Sequence, residues 1–306
     1  MNQSAIRKRT SSYYHKHSVF PLINGMAMIL LVFITLYPVL NTVAISFNDG
    51  TDAVRGGIGL WPRQFSTKSY ETIFADEIIY NAFFITIART GIQTVLNVVL
   101  TSMLAYALSR REYVLRKFIT TAFVLTMYVN AGLIPNYLLI QRTLGLSKSF
   151  WVYIIPTMLS CFNMIITRTY ILSLPDALVE SARIDGAGDL YLFWKIIFPL
   201  CMPVLATVAL FVAVGAWNSW FDTHLYNASK VHLHTLQYLL KMKLATTTNS
   251  ANSALTSIDA ASSTTNTTPV TIRAAITVVS AAPIVVIYPF LQRYFVVGLN
   301  VGSVKG

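Results

Sequence analysis

Apolar residues in this chain fall in long unbroken runs, and polar residues crowd into the intervals between them. From 20 to 46 the sequence reads FPLINGMAMILLVFITLYPVLNTVAIS, 27 positions without a charge. A hydrocarbon layer about 30 Å thick takes about 20 apolar residues of helix to cross. The run also exceeds the apolar core of a cleavable signal, so it predicts a retained first span. Five more follow. They cover about 79–108, interrupted by Arg89; about 118–140, with Asn130, Gly132 and Pro135 near the far end; about 149–172, closing on Arg168; about 193–217; and about 272–295, carrying Pro283 and Pro289. The pattern predicts an all-α integral membrane protein of six transmembrane helices.

Composition narrows the choice further. Of 306 residues, 55% are apolar and only 11% charged, where a soluble domain carries about a quarter charged residues. The mean hydropathy is +0.57. Disorder, a disulfide-stapled secreted scaffold and an ordinary soluble enzyme are excluded on these grounds. The two cysteines, Cys161 and Cys201, sit inside apolar runs without His or acidic neighbours, so they read as packing residues and no metal site is expected.

The formal charge of +11 becomes informative once it is located. Six spans put both termini on one side. That side holds 13 Lys and Arg, among them Arg7, Lys8, Arg9 and Lys16 in the tail 1–19, and Arg110, Arg111, Arg116 and Lys117 after the second span. Nine lie opposite, where the segment 47–78 has five acids against three bases. Basic short loops stay in the cytoplasm, which places both termini there. The charge is thereby accounted for by orientation, and nucleic acid is not expected as a partner. The outer segment of about 218–271 is the longest connection, and 16 of the 23 residues from 246 to 268 are Ser, Thr or Asn, a composition that predicts a flexible tether.

Between the fourth and fifth spans, the loop of about 174–192 reads LPDALVESARIDGAGDLYL. Pro175 and Asp176 suit a helix start, Ala177, Glu180, Ser181 and Ile184 follow at helical spacing, and Gly186 ends the run. This predicts a short amphipathic helix lying along the membrane surface on the cytoplasmic side. Ala182 and Gly186 permit close approach of two backbones, and Glu180 and Asp185 offer charge for basic groups or helix N-termini.

Glu180, Ser181, Ala182, Gly186, Ile196, Phe198 and Pro199 resemble, at matching spacing, the signature of the inner-membrane permeases of binding-protein-dependent ABC importers. Ser181 stands where that signature has Ala, and Phe198 where it has Leu. Asp185, Ala187, Leu200 and Pro203 are similar to the longer form found in the carbohydrate-uptake branch. LAYALSR at 104–110, GLIP at 132–135, WNSWFD at 217–222 and VGSVKG at 301–306 extend the likeness over most of the chain. The resemblance implies a type I importer permease, a single transmembrane domain over 20–306 in the bacterial cytoplasmic membrane. Its implied partners are a second homologous permease subunit, a dimer of ATPase subunits, an extracellular solute-binding protein and an oligosaccharide cargo. It also implies that Glu180, Ser181, Ala182, Asp185, Gly186 and Ala187 couple ATPase closure to pathway opening. ATP and Mg²⁺ would belong to the ATPase, and no cofactor is expected in this chain.

Polar groups inside a bilayer are costly and turn toward a cavity or another helix. Arg89 and Asn130 are candidates for the pathway, with Asn97, Asn136 and Asn163 able to line the same space. Trp217, Asn218, Trp220 and Asp222 offer the mix of aromatic faces and hydrogen-bonding groups that sugars use, against the alternative of interface aromatics or helix packing. No Gly-x-x-x-x-Gly-Lys-[Ser/Thr] loop, His-Glu-x-x-His or Gly-x-Ser-x-Gly occurs, so the chain is expected to be a transport subunit and not an enzyme. The rivals are a stand-alone secondary transporter, disfavoured because no span carries an acid to couple ion movement, and a permease for another solute class.

Overall fold

A computed structural model describes residues 20–129, 131–254 and 267–301. Asn130, the tail 1–19 and the 302–306 end of the VGSVKG match lie outside the described residues. The fold is helical throughout, with one isolated bridge, between Asn48 and Phe65, among the described residues. The chain divides into two compact units, 20–71 with 267–278 and 72–254 with 279–301.

The first unit is dominated by α1, Phe20–Ser46. Its side chains from Phe20 to Leu40 are nearly all exposed, and burial begins at Ala44 and Ser46. There a small polar knot closes. Asp49 caps the one-turn helix Gly50–Val54 by accepting from the Thr51 amide (2.9 Å), and Asn48 Nδ2 donates to Asp52 (2.9 Å), which also takes Arg63 Nε (3.0 Å). These donors hold the Asp52 carboxyl below the usual aspartate range, the Asn48 bond most of all.

The second unit is built on α2, Glu77–Ser109. Asp76 caps its first turn by accepting from the Ile78 amide (3.0 Å). The helix is inside out by the standard of a soluble protein. Thr86, Arg89, Gln93, Asn97 and Thr101, spaced by three or four, are buried along one face, whereas Tyr80, Phe84, Ile87 and Val95 are exposed on the other. Such an inversion fits a helix whose outer surroundings are hydrocarbon, since there only the polar groups need shelter.

Around α2 pack α4 (Cys161–Ile171) and α6 (Met202–Asn218); the labels between and after them are α3 (Arg116–Tyr128), α5 (Ala177–Ile184), α7 (Phe221–Tyr226), α8 (Leu236–Ala254) and α9 (Pro269–Val301). Leu108, Met164, Leu192, Phe193, Ile197 and Leu205 form the core at the α5 end.

Three helices are long and apolar enough to cross a membrane unbroken: Phe20–Ser46, Glu77–Ser109 and Pro269–Pro289. The other three expected spans appear as bent pairs, so the count reaches six only if each pair is one span. In the third, α3 stops at Tyr128 and helix resumes at Leu133 after Gly132, whose φ is +84°. In the fourth, two short 3-10 turns around Pro156 meet α4 at 47°. In the fifth, Asp189–Leu200 and α6 meet at 79°, around a stretch that contains Pro199 and Pro203 and so lacks two helical N–H donors. The expected tether also begins as helix, because α8 runs through the first nine of those Ser-, Thr- and Asn-rich positions to Ala254.

Candidate functional site

The 174–192 loop contains the expected helix, α5, followed by a turn that explains its glycine. The Ala187 amide donates to the Ala182 carbonyl (2.9 Å) and the Gly186 amide to the Arg183 carbonyl (3.0 Å). These are the two bonds of a Schellman closure, which needs a left-handed residue at the position after the cap. Gly186 supplies it with φ +83°. A side chain there would meet open space, so backbone conformation and not crowding selects glycine.

The same closure turns Ala182 and Ala187 onto the core while Glu180, Ser181, Asp185 and Gly186 stay exposed. Val179 is buried beneath them, and Ile184 on the outer face is 86% exposed. The loop is tied to the chain by Arg183, whose Nη1 and Nη2 donate to Glu112 Oε1 (2.6 Å) and Oε2 (2.9 Å), with Asp189 as a weaker third partner at 3.4 Å. Arg183 holds the Glu112 carboxyl below the ordinary glutamate value, and Glu112 in turn raises the guanidinium. Neither Glu112 nor Arg183 stands among the coupling residues expected from the sequence. A bidentate tie between residues 71 positions apart left no local signal.

The second region is a recess between α2, α4 and α6. Arg89 lies about 18 Å along α2 from its start, and its side chain is 1% exposed. Its guanidinium forms a two-toothed ion pair with Asp222: Nη1 to Oδ1 at 3.2 Å and Nη2 to Oδ2. Nη1 also donates to the Ser219 carbonyl (3.3 Å), and the Tyr153 ring lies 4.7 Å from the guanidinium carbon. Asp222 further accepts from Ser219 Oγ (3.1 Å) and from the Thr223 amide (2.9 Å). Two residues named separately from sequence thus meet in one buried cluster.

Next to this cluster open two adjoining cavities of about 420 and 450 Å³, which share Gln93, Thr157, Gly215 and Ala216 in their walls. Asn97 and Asn163 line the second. Asn163 Nδ2 donates to Asn97 Oδ1 (3.4 Å) and Asn97 Nδ2 to the Thr157 carbonyl (3.0 Å), so both are held by protein. The small residues Gly215 and Ala216 on α6 leave the space that larger side chains would fill.

The remaining candidates lie elsewhere. Trp217 is buried and donates Nε1–H to the Ser280 carbonyl (2.9 Å), with its ring edge-on to Phe83 at 6.0 Å, which makes it a helix-packing residue. Asn218 bonds the Val214 carbonyl (2.9 Å) and accepts from Gln237 (3.3 Å). Trp220 receives the Lys241 ammonium on its face at 5.0 Å. Neither Trp217, Asn218 nor Trp220 lines the two cavities beside Arg89. Among the described residues, no group of three or more His, Cys, Asp or Glu is arranged to hold a metal ion.

Residues 19–301 match the family described as binding-protein-dependent transport system inner membrane component. The chain is similar to the polygalacturonan/rhamnogalacturonan transport system permease protein YtcP of Bacillus subtilis, 33% identical over 291 residues, 95% of this chain and 100% of that protein. It is similar also to the arabinooligosaccharides transport system permease protein AraQ of Halalkalibacterium halodurans, 28% identical over 299 residues, 95% of this chain and 100% of that one. Among solved structures it resembles a chain of a bacterial ABC transporter involved in the import of the acidic polysaccharide alginate. The TM-score is 0.81 at 28% identity, with 90% of this chain and 96% of that chain covered.

Proposed function

This chain belongs to the family of binding-protein-dependent transport system inner membrane components, and from that premise we propose that it is one permease subunit of an ATP-driven importer of oligosaccharides. It is a multi-pass membrane protein of a family of transport subunits. In this reading the three straight helices and three bent pairs make six spans with both termini in the cytoplasm. A second, homologous permease completes the pathway, and an extracellular binding protein delivers the sugar. A dimer of separate ATPase subunits, which hold ATP and Mg²⁺, docks on the 174–192 loop.

The observation that carries the reading is the shape of that loop. α5 keeps Glu180, Ser181 and Asp185 exposed, while Val179 and the two alanines anchor it to a core continuous with α2, α4 and α6. Force applied to the exposed face is therefore delivered to the helices that wall the recess. The sugar class is supported by the names of the similar permeases, which include carriers of arabinooligosaccharides and of trehalose. Reconstitution of the chain in proteoliposomes tests the assignment. Uptake should require the partner permease, the ATPase and the binding protein together, and uptake by this chain alone would sink it.

A further inference from the structure

The end of the second unit that carries α5 has two further exposed segments, and Arg183 joins them. One is the turn at 110–115 with the first turn of α3, where Val114 is 92% and Phe118 73% exposed. The other is the start of the Asp189–Leu200 helical run, which buries Leu192, Phe193 and Ile197 in the core but exposes Tyr191 and Trp194. Arg183 bonds Glu112 in the first segment and Asp189 in the second. The acids of both are thus committed to one arginine.

The bases are not. Arg111, Arg116, Lys117 and Lys195 enter none of the ion pairs among the described residues. Nor does helix stability call for Arg116 and Lys117 in the first turn of α3, where the macrodipole disfavours cations. Unmatched cations beside exposed aromatic and aliphatic side chains suit a partner that is anionic and apolar at once. A bilayer surface containing anionic lipid has that composition, with acyl chain just beneath the phosphates.

The geometry agrees. α3 opens a candidate span immediately after Leu115, and the Asp189–Leu200 run meets α6 at 79°, so it lies across the direction of that helix instead of along it. Tyr, Trp and long basic side chains at such a level turn their apolar bodies toward hydrocarbon and their polar ends toward water. α5 makes the contrast. Ile184 is exposed as well, yet Glu180 and Asp185 beside it repel anionic headgroups.

We propose that these two segments form a docking surface for anionic phospholipid, with Val114 and Trp194 set into the acyl boundary and Lys117 and Lys195 on the headgroup phosphates. The surface requires only that the chain spans a membrane, and it stands apart from the choice of cargo.

The experiment uses the full chain in vesicles of phosphatidylcholine and phosphatidylglycerol in equal parts, with bromine on the upper acyl carbons of one lipid at a time to quench nearby tryptophan. Trp194 is read as wild type minus Trp194→Phe, and Val114→Trp adds a second reporter at an exposed position. Both should be quenched more by brominated phosphatidylglycerol than by brominated phosphatidylcholine, and Ile184→Trp on α5 by neither. The preference should fall about fivefold for each base removed in Lys117→Gln and Lys195→Gln. It should hold in Lys117→Arg and Lys195→Arg, and shrink in about 1 M salt. Because both lysines are exposed, these variants should melt with the wild type, which separates loss of lipid from loss of structure. Trp194 and Val114→Trp quenched no more than Ile184→Trp, or quenched equally by the two lipids, would overturn the lipid surface. So would loss of the quenching when the proposed ATPase subunits are added, which would make the same patch a protein interface.

Discussion

The Arg89–Asp222 pair and the Arg183–Glu112 pair are the same chemistry in two settings. Both join an arginine to both oxygens of a carboxylate distant in sequence, and both fasten a short segment to the bundle. Side-chain exposures are 1% and 21% in the first and 36% and 69% in the second. In the recess, burial of the guanidinium makes the attraction strong and the loss of either partner severe. At the 174–192 loop, water and salt compete with the pair and its net contribution is small. What differs is the use of each. The buried pair fixes the segment after α6 against α2, whereas the exposed pair ties down a helix that a partner is proposed to push.

Removing one member of the buried pair should give the largest effect. Asp222→Ala leaves the Arg89 guanidinium, sealed at 1% exposure, without its counter-ion. A loss of about 3–5 kcal/mol is expected for such a break. Replacing both residues by apolar ones, Arg89→Met with Asp222→Leu, should recover most of it. Thermal unfolding in detergent of the wild type, Arg89→Met, Asp222→Leu and the variant carrying both, arranged as a double-mutant cycle beside Asp222→Ala, reads the coupling. If Asp222→Ala melts with the wild type, the pair has no more weight than its exposed counterpart and the contrast collapses.

The turn at Gly186 should come next in size. With φ at +83° and open space around it, the cost of a side chain comes from the backbone alone. Asn tolerates the left-handed region, Ala less, and a β-branched Val least. Gly186→Ala should cost about 1–2 kcal/mol of the closed turn, which reduces its population by roughly tenfold. Uptake by the reconstituted importer should fall in the order Gly, Asn, Ala, Val, while the chain still inserts and ATP hydrolysis by the partner continues uncoupled. Equal uptake in all four would show that the loop shape does not transmit force.

The two regions also differ in how far they could be read from sequence. The loop was legible because its information is local: Pro175 and Asp176 start the helix, and Gly186 stops it within ten residues. The recess was legible only in pieces. Arg89 stood out as a lone charge in a span, and Asp222 as an acid beside aromatic residues, yet their meeting spans 133 positions and no pattern along the chain encodes it. Gln93 did leave a signal, the polar stripe Thr86, Arg89, Gln93, Asn97, Thr101 at helical spacing, which marks an inward face when the opposite side is apolar. The aromatic cluster after the fifth span read as one unit, but helical geometry splits it, sending Trp217 into packing against Phe83 and Ser280 while Asp222 reaches Arg89. The breaks in three spans lie near Gly132, Pro156 and Pro199, of which Gly132 alone was singled out within its span, and a hydropathy average passes smoothly over all three. Composition also misjudged the start of the tether, because a helix once begun at Leu236 gains a hydrogen bond for each residue it adds, even through Thr and Asn.

The smallest effect should come from the exposed pair, and its dependence on conditions is what distinguishes it. Glu112 is held below its ordinary value of 4.5 by Arg183, so the folded state favours the carboxylate. A depressed folded value means that the pair's contribution is complete above that ordinary value and fades as pH falls through the lowered one. The melting difference between wild type and Glu112→Gln should therefore be small and constant from neutral pH down to about 5, then shrink toward zero in more acid solution. Raising the salt from 0.05 to about 1 M should shrink it as well, because the screening length drops to about 3 Å. The Asp222→Ala difference should survive the same salt, since its arginine is shielded from the ions. A salt-insensitive Glu112→Gln effect would mean that the loop is held by packing of Val179, Ala182 and Ala187 alone, with Arg183 a bystander. Parallel salt loss at both pairs would instead place Arg89 in water and remove the physical basis for treating the two regions differently.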